Sequence, residues 1–386
     1  MEYIPAPRDV AVIIYEYFIN GNDYTPFNDD DIMSFENKII NRDKLLIWAS
    51  KQGRMNIVMN FQTKDRNLQL FCIKEAAKYG RYDCFMVFYN LLNHNIDSVV
   101  MVASGEGNDK KIISEISKEW INIESDIAQG AARGGHYTLF LKHASKISFL
   151  NHDYLCHNIV SGGSMKILLK AQKCITFSLD FDLILEESCM KGDYEIFQHC
   201  TKKGIDLSHL DSYYIGLGGN RKILNEAMKY SIIQWNKVML GAIISDNHSM
   251  MKHAIYHGVS NWSLFIIETA KLWHLDALKF LEKEIALKNM SIGTNIWNDC
   301  MVIASEHWSD HDYYEDPMDI IEYCHKKGAY NINHVLIEGV FHNNDNMIHY
   351  AEKNGADAWG SCYERIKKTE RKDMIKFVNN KRRRLI

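Results

Sequence analysis

The feature that most constrains this chain is a short sequence unit that recurs along most of its length. The stretch Ala49–Gly53 returns as Ala76–Gly80, Ala103–Gly107 and Ala131–Gly135, each time with alanine four positions before the glycine. Weaker copies end at Gly163, Gly192 and Gly219, and the same phase continues without glycine at Asn247, His274, Trp308, Asn343 and Glu370. Successive copies lie 27 to 29 residues apart, except for two spacings of 34 and 35. Twelve such units indicate a repeat array in which each unit packs on its neighbours.

The pattern inside one unit predicts two short helices. The small residue lets the first helix approach its neighbour closely, and the glycine ends that helix because it adopts a positive φ without strain. Four and five residues later an apolar pair marks the buried stripe of a second helix. These pairs are Ile57-Val58, Cys84-Phe85, Leu139-Phe140, Ile167-Leu168, Ile196-Phe197 and Ile223-Leu224. Because only Pro317 follows Pro26, the predicted fold is all-α, a solenoid of about twelve stacked helical hairpins.

The units also define a plan for the chain. Residues 1–40 differ from the repeats, and Ile4–Phe18 reads as a proline-started amphipathic helix that caps the first unit. The repeat array then runs over 41–380, with insertions near 282–295 and at the acidic stretch 309–316. A basic tail, 381–386, closes the chain.

The best-preserved units resemble ankyrin repeats. That family's unit reads A-A-x-x-G-H-x-E-V-V followed by leucines and G-A-D, and Ala131–Phe140 matches it almost position for position. Lys191–Phe197, continuing to Gly204–Asp206, matches as well. The family's Thr-Pro-Leu-His opening is absent and the period is shorter than 33 residues, so the β-hairpin fingers are expected to be short or missing. This degenerate form is similar to ankyrin-like proteins of large DNA viruses, such as the African swine fever virus multigene families and mimivirus-type repeat proteins.

Composition narrows the class of protein. A formal net charge of −4 argues against a nucleic-acid binder. The 9 cysteines are odd in number and form no CxxC motif, which favours a reducing compartment and a cytoplasmic location. No apolar run approaches the roughly 18 residues that a membrane-spanning helix needs, so we expect no membrane partner.

No recognisable catalytic or metal motif stands out in the sequence. Gly216–Gly219 is similar to a phosphate-binding loop, but it falls on the repeat glycine, and we interpret it as structural. His307 and His311 lie beside carboxylates of the 309–316 stretch. In such a stretch a solvated acidic loop is commoner than a metal site. We therefore expect no enzyme, no metal and no cofactor.

The resemblance implies an interaction protein that holds a partner protein on the concave face of the stack. Ankyrin-like stacks bind through the ends of their first helices and the adjoining loops. The residues expected there are Lys51, Lys78, Tyr79, Arg133, Lys191, Trp273, Glu306 and His307. Arginine and aromatic side chains are the types that most often anchor interfaces.

Other functions stay open at this point. A likeness of residues 4–18 to the start of an F-box suggests a substrate adaptor of a ubiquitin ligase instead. An enzyme with a site in the insertions is a third hypothesis. The basic run Lys381, Arg382, Arg383 and Arg384 is a candidate nuclear import signal, which would add a nuclear location.

Overall fold

The structure, a computed structural model, describes residues 42–121, 123–147, 152–175, 178–230, 232–306, 317–369 and 371–383. It divides into two compact units, the first ending at Leu207 and the second beginning at Ser208. The helices of unit 1 are α1 (Arg42–Gln52), α2 (Met55–Asn60), α3 (Arg66–Lys78), α4 (Tyr82–Leu91), α5 (Ser98–Gly107), α6 (Lys110–Glu119), α7 (Glu124–Arg133), α8 (Tyr137–His143), α9 (His152–Ser161), α10 (Met165–Cys174), α11 (Phe181–Lys191) and α12 (Tyr194–Lys202).

Unit 2 also consists of short helices in the residues that the structure describes. Its helices are α13 (Ser212–Gly218), α14 (Arg221–Ala227), α15 (Trp235–Ile244), α16 (His248–Tyr256), α17 (Trp262–Lys271), α18 (Leu275–Leu287), α19 (Thr294–Glu306), α20 (Met318–Lys326), α21 (Ile332–His342), α22 (Asp345–Lys353), α23 (Trp359–Ile366) and α24 (Lys372–Arg383). The residues that the structure describes contain no β-strand, so the all-α prediction is confirmed.

Odd-numbered helices form one layer within each unit. In unit 1, each of α1, α3, α5, α7 and α9 packs on the next odd-numbered helix, and in unit 2 the same holds from α13 to α23. Even-numbered helices lie beside their odd-numbered partners, as α4 does with α3 and α22 with α21. The helices therefore occur as sequential pairs, and the odd-numbered member of each pair is called the first helix below.

Aspartate side chains start many of these helices. Asp65 Oδ1 accepts a hydrogen bond of 2.8 Å from the backbone amide of Asn67, and Asp180 Oδ1 accepts one of 3.0 Å from that of Asp182. Asp97, Asp109, Asp193 and Asp211 cap other helices in the same way. Such caps satisfy amide groups that a helix leaves unpaired at its N-terminus, and replacing one by alanine costs about 1 kcal/mol.

Most of the predicted glycines do end the first helices with a positive φ. These residues are Gly53, Gly80, Gly135, Gly163, Gly192 and Gly219. In the third hairpin the positive φ falls on Asn108 rather than on Gly107. In later hairpins that lack the glycine, Asp246, Trp273 and Asn343 adopt this conformation. The positive φ is thus kept in hairpins that lack the glycine that adopts it without strain.

Side chains just after these turns tie successive hairpins together. Arg81 Nε donates to the carbonyl oxygen of Lys51 at 3.0 Å, and His136 Nε2 donates to that of Glu106 at 2.8 Å. His274 makes the equivalent bond to the last turn of α15 at 3.0 Å. Each bond satisfies a carbonyl that the end of a helix leaves without an intrahelical partner. We call these residues the clasp residues.

The closest contact between neighbouring first helices is made by glycine pairs. A Cβ on Gly130 of α7 would lie 1.9 Å from the Val102 carbonyl oxygen of α5, and one on Gly105 would lie 2.3 Å from Ile127 O. Gly216 and Gly241 form the same contact between α13 and α15. Gly216 is therefore needed for helix packing, which agrees with the structural interpretation of the 216–219 segment.

The buried apolar pairs follow the prediction closely. Their members are buried in every second helix for which they were predicted, except Leu139, which is half-buried. The additional residues near 282–295 lengthen α18, which runs to Leu287, and the turn before α19. Residues 1–40 and the acidic insertion 309–316 lie outside the described residues, as do His307 and Arg384.

Replacing Gly130 with alanine tests the glycine contact. The added Cβ has to push α5 and α7 apart, so Gly130→Ala should destabilise the protein by about 1–3 kcal/mol. Gly360 of α23 is the matched control, because nothing lies within 4 Å of the Cβ position there. Gly360→Ala should stay within about 1 kcal/mol of the wild type. Denaturant midpoints measured by circular dichroism give the comparison, and equal midpoints for both variants would refute the close contact.

Stability should also fall in mild acid. Burial lowers the pKa of His199 below its ordinary value, and the neighbouring Lys203 and Lys202 charges lower it further. Since the unfolded pKa is about 6.5, the folded state binds fewer protons, and this contribution is present above that pH and lost as the pH falls. We expect the difference in melting temperature between pH 7.5 and pH 5.5 to be smaller in His199→Gln than in the wild type. An unchanged difference would mean that His199 does not contribute.

Candidate functional site

The ends of the first helices in unit 1 carry a continuous row of charged and aromatic side chains. Lys51, Lys78, Tyr79, Glu106 and Arg133 form it, and we call them the helix-end row. They lie at the C-terminal ends of α1, α3, α5 and α7, where the repeat phase predicted a binding surface. The row thus extends over four consecutive hairpins.

Contacts between hairpins connect the members of this row. The Lys51 ammonium lies 5.0 Å from the centroid of the Tyr79 ring. Lys78 Nζ lies 3.2 Å from one carboxylate oxygen of Glu106, and Arg133 Nε lies 3.9 Å from the other. Glu106 keeps 17% of its side-chain surface, whereas Lys78 and Arg133 keep 35% and 43%. Solvent therefore screens each pair, which contributes about 1 kcal/mol to stability. Their main effect is to hold long side chains in defined positions.

The row stays accessible and has a net positive charge. The Tyr79 side chain is exposed, and Arg133 keeps 43% of its side-chain surface while it contacts Glu106. Lys78 and Arg133 share the single carboxylate of Glu106. Lys51 lies over the Tyr79 ring instead, so the row as a whole keeps positive charge for a ligand. Sequence reasoning omitted Glu106, although it occupies the position before a repeat glycine, the same phase that identified Tyr79.

The other predicted contact residues lie apart from this row. Lys191 ends α11 in unit 1 and is exposed. In unit 2, Trp273 is half-buried, and its indole N–H donates to the carbonyl oxygen of Ala304 at 3.0 Å. Glu306 ends α19, and its Oε1 lies 3.0 Å from Nε2 of His334. Trp273 therefore helps to join two hairpins, and only part of its ring is available to a partner.

The described part of the basic run is helical. Lys381, Arg382 and Arg383 form the last turn of α24. The Lys381 ammonium pairs with Glu352 and lies 5.4 Å from the ring of Trp359, and the Arg382 guanidinium lies 5.4 Å from the ring of Tyr363. Two of these cations are thus engaged by neighbouring helices of unit 2.

One arrangement in unit 1 has the hydrogen-bond order of an activated serine. His157 Nδ1 lies 3.0 Å from Glu187 Oε2, and Ser161 Oγ lies 3.3 Å from His157 Nε2. The amide N–H groups of the two residues after Ser161 donate to carbonyls of their own helix end, so neither is free to hold an oxyanion. We interpret the set as another link between hairpins, because His157 is on α9 and Glu187 is on α11.

The cysteines behave as small apolar residues. All but Cys174 are buried, and all are free thiols. Burial raises the pKa of Cys72 to about 12 and that of Cys84 to about 11, and thiols of this kind react poorly because the thiolate is the nucleophile. Among the described residues, no three histidine, cysteine or acidic side chains gather as metal ligands would. The candidate pair His307 and His311 and the F-box-like residues 4–18 fall outside that part of the chain.

Two comparisons with known proteins find no match. The chain matches no model of a protein family, and it has no significant match among curated proteins. Within the described ranges, no helix is both long and apolar enough to cross a membrane. What this protein does therefore has to be inferred from its own residues.

Thiol labelling tests the environment of the cysteines. In the native protein, Cys174 should react rapidly with iodoacetamide, whereas the buried cysteines of the described residues should react only after unfolding. Cys174→Ser should remove the rapid phase, and all 9 thiols of the wild type should react in denaturant. Rapid labelling that persists in Cys174→Ser would show that another thiol is accessible.

Proposed function

We propose that this protein is a non-catalytic scaffold that binds a partner protein, and that its helix pairs form a solenoid of twelve ankyrin-like hairpins. The helix-end row is the observation that carries this proposal. Repetition of one hairpin places equivalent side chains side by side, which gives an extended surface without a cofactor. The resemblance to repeat proteins of large DNA viruses leads us to propose a host protein, or another viral protein, as the partner.

The character of the row favours an acidic partner surface. Lys78 and Arg133 place two positive charges at Glu106. Lys51 adds a third beside the exposed ring of Tyr79. Carboxylates on a partner would find charge complementarity and an aromatic anchor in the same place. Because neighbouring hairpins already hold these side chains, binding loses less conformational entropy than it would with mobile ones.

Support also comes from what the row does not do for the fold. Its side chains lie outside the buried apolar core, and their pairs are too exposed to contribute much stability. Arg81 and His136, by contrast, bond to backbone carbonyls and hold the hairpins together. A row residue can therefore be changed without removing a clasp residue.

A double variant of the row tests the proposal. Tyr79→Ala with Arg133→Ala should lower affinity for the partner by at least about tenfold, since anchor residues typically contribute about 2 kcal/mol each. The matched control is Tyr154→Ala with Lys166→Ala, which removes one exposed tyrosine and one exposed cation from α9 and α10.

The measurement is quantitative recovery of bound proteins from host cells, followed by titration of each recovered protein against all three forms. The proposal expects binding by the wild type and the control, weak binding by the row variant, and equal melting temperatures. Equal binding by the row variant would place the interface elsewhere. A loss that appears only together with a lower melting temperature would also contradict the proposal.

A further inference from the structure

Four turns of unit 2 carry exposed apolar side chains at their tips. The turns are 228–230 with 232–234, 256–261, 287–293 and 327–331, and each begins at or just after the last residue of a second helix. We call them the turn row. Their exposed apolar residues are Met228, Tyr230, Ile232, Tyr256, Leu287, Met290 and Tyr330. Ile232 retains 93% of its accessible surface and Tyr256 retains 84%, so these side chains project outward instead of lining a groove.

Contacts across the row show that the first three turns are neighbours. Asn236, just beyond the first turn, accepts a hydrogen bond of 3.0 Å from the backbone amide of Ser260 in the second. Lys288 in the third turn lies 6.0 Å from the ring of Trp262, just beyond the second. The apolar tips of these turns therefore follow one another along one edge of the unit.

The same kind of bond joins the third and fourth turns. Asn298, in the helix that follows the third turn, accepts a hydrogen bond of 2.6 Å from the amide of Tyr330. Packing of α15 on α17, of α17 on α19 and of α19 on α21 agrees with this order. The four turns thus form one continuous edge.

The turn row contains lysines and no acidic residue. None of its four segments has aspartate or glutamate in the sequence, whereas Lys229, Lys288 and Lys327 lie in three of them. Lys229 pairs with Glu226 at 2.7 Å and Lys327 with Glu282 at 2.6 Å. Both carboxylates belong to helices outside the turns, so the charged side chains within the turns themselves are all cationic.

We propose that the turn row docks on the surface of a bilayer that contains anionic lipid. Side chains that project singly would each need a matching cavity on a rigid protein partner, whereas the acyl region of a bilayer accommodates them without one. Tyrosine favours the interface between apolar and aqueous phases, and lysine beside it attracts anionic headgroups. Amphipathic helices that lie on a bilayer combine apolar side chains at the headgroup boundary with lysines that attract anionic lipid, and the turn row carries the same two kinds of side chain.

The proposal requires no spanning helix. It departs from the sequence-based expectation of no membrane partner, which considered only long apolar runs. That signal is absent here because the apolar residues are spread over four turns between Met228 and Asn331 and become neighbours only in the fold. The bilayer proposal is also independent of the proposed protein partner, because its test uses vesicles that contain no protein.

Co-sedimentation of the full chain with vesicles is the test. The wild type should bind vesicles of phosphatidylcholine and phosphatidylserine more strongly than vesicles of phosphatidylcholine alone. The variant Ile232→Ser/Tyr256→Ser/Leu287→Ser should need at least about tenfold more lipid for half-maximal binding, because three apolar side chains no longer insert. Lys229→Gln with Lys288→Gln should reduce the preference for phosphatidylserine.

The control variant is Met59→Ser/Val99→Ser/Tyr154→Ser, which removes three apolar residues that are more than half exposed from helices of unit 1. It should bind vesicles like the wild type, and all forms should have equal helical content by circular dichroism. The proposal is overturned if the wild type does not bind vesicles, or if the turn-row and control variants behave alike. Binding of a single-stranded oligonucleotide instead, or a dimer that the turn-row variant dissociates without any vesicle binding, would equally overturn it.

Discussion

The close approach of neighbouring first helices is the constraint on which the rest of this structure depends. At Gly130 and Gly105 the backbones of α5 and α7 come so near that no side chain fits between them. Neighbouring helices at this distance bring the carbonyls at one helix end within reach of the next hairpin. Arg81 and His136 can therefore bond to those carbonyls, and the surface residues beside them occur at regular intervals.

The regularly spaced surface side chains differ in character between the helix-end row of unit 1 and the turn row of unit 2. In unit 1, Lys78 and Arg133 meet at Glu106, so the helix-end row is polar and held in place by contacts between hairpins. In unit 2, asparagine side chains such as Asn236 accept hydrogen bonds from backbone amides of the next turn, which leaves side chains like Ile232 exposed. The helix pairs thus present an ordered polar surface in one unit and an apolar one in the other.

The sequence predicts the parts of this fold that depend on local residue type. A glycine followed by an apolar pair marks the turn and the buried stripe of a hairpin, and Gly192 with Ile196 and Phe197 shows both features in the structure. The residue types just before each repeat glycine also predicted the members of the helix-end row, except Glu106. These signals work because φ preferences and burial act over a few residues.

Features that depend on facing helices could not be predicted. Nothing in the sequence shows that Gly130 faces Val102, because that requires the rotation of two helices about their axes. Trp273 was expected to offer its ring to a partner, but its indole bonds to the next first helix. The exposure of Ile232 and Tyr256 along one edge is likewise a result of stacking, and no sequence window contains both.

The bonds made by the clasp residues have a consequence for synthesis on the ribosome. Those from Arg81 and His136 each span 30 residues, and the bond from His274 to Ile243 spans 31. Contacts this local close small loops and favour fast folding. A nascent chain can therefore dock each new hairpin on the one before it as soon as that hairpin emerges, so its apolar surfaces are exposed only briefly while the remainder is translated.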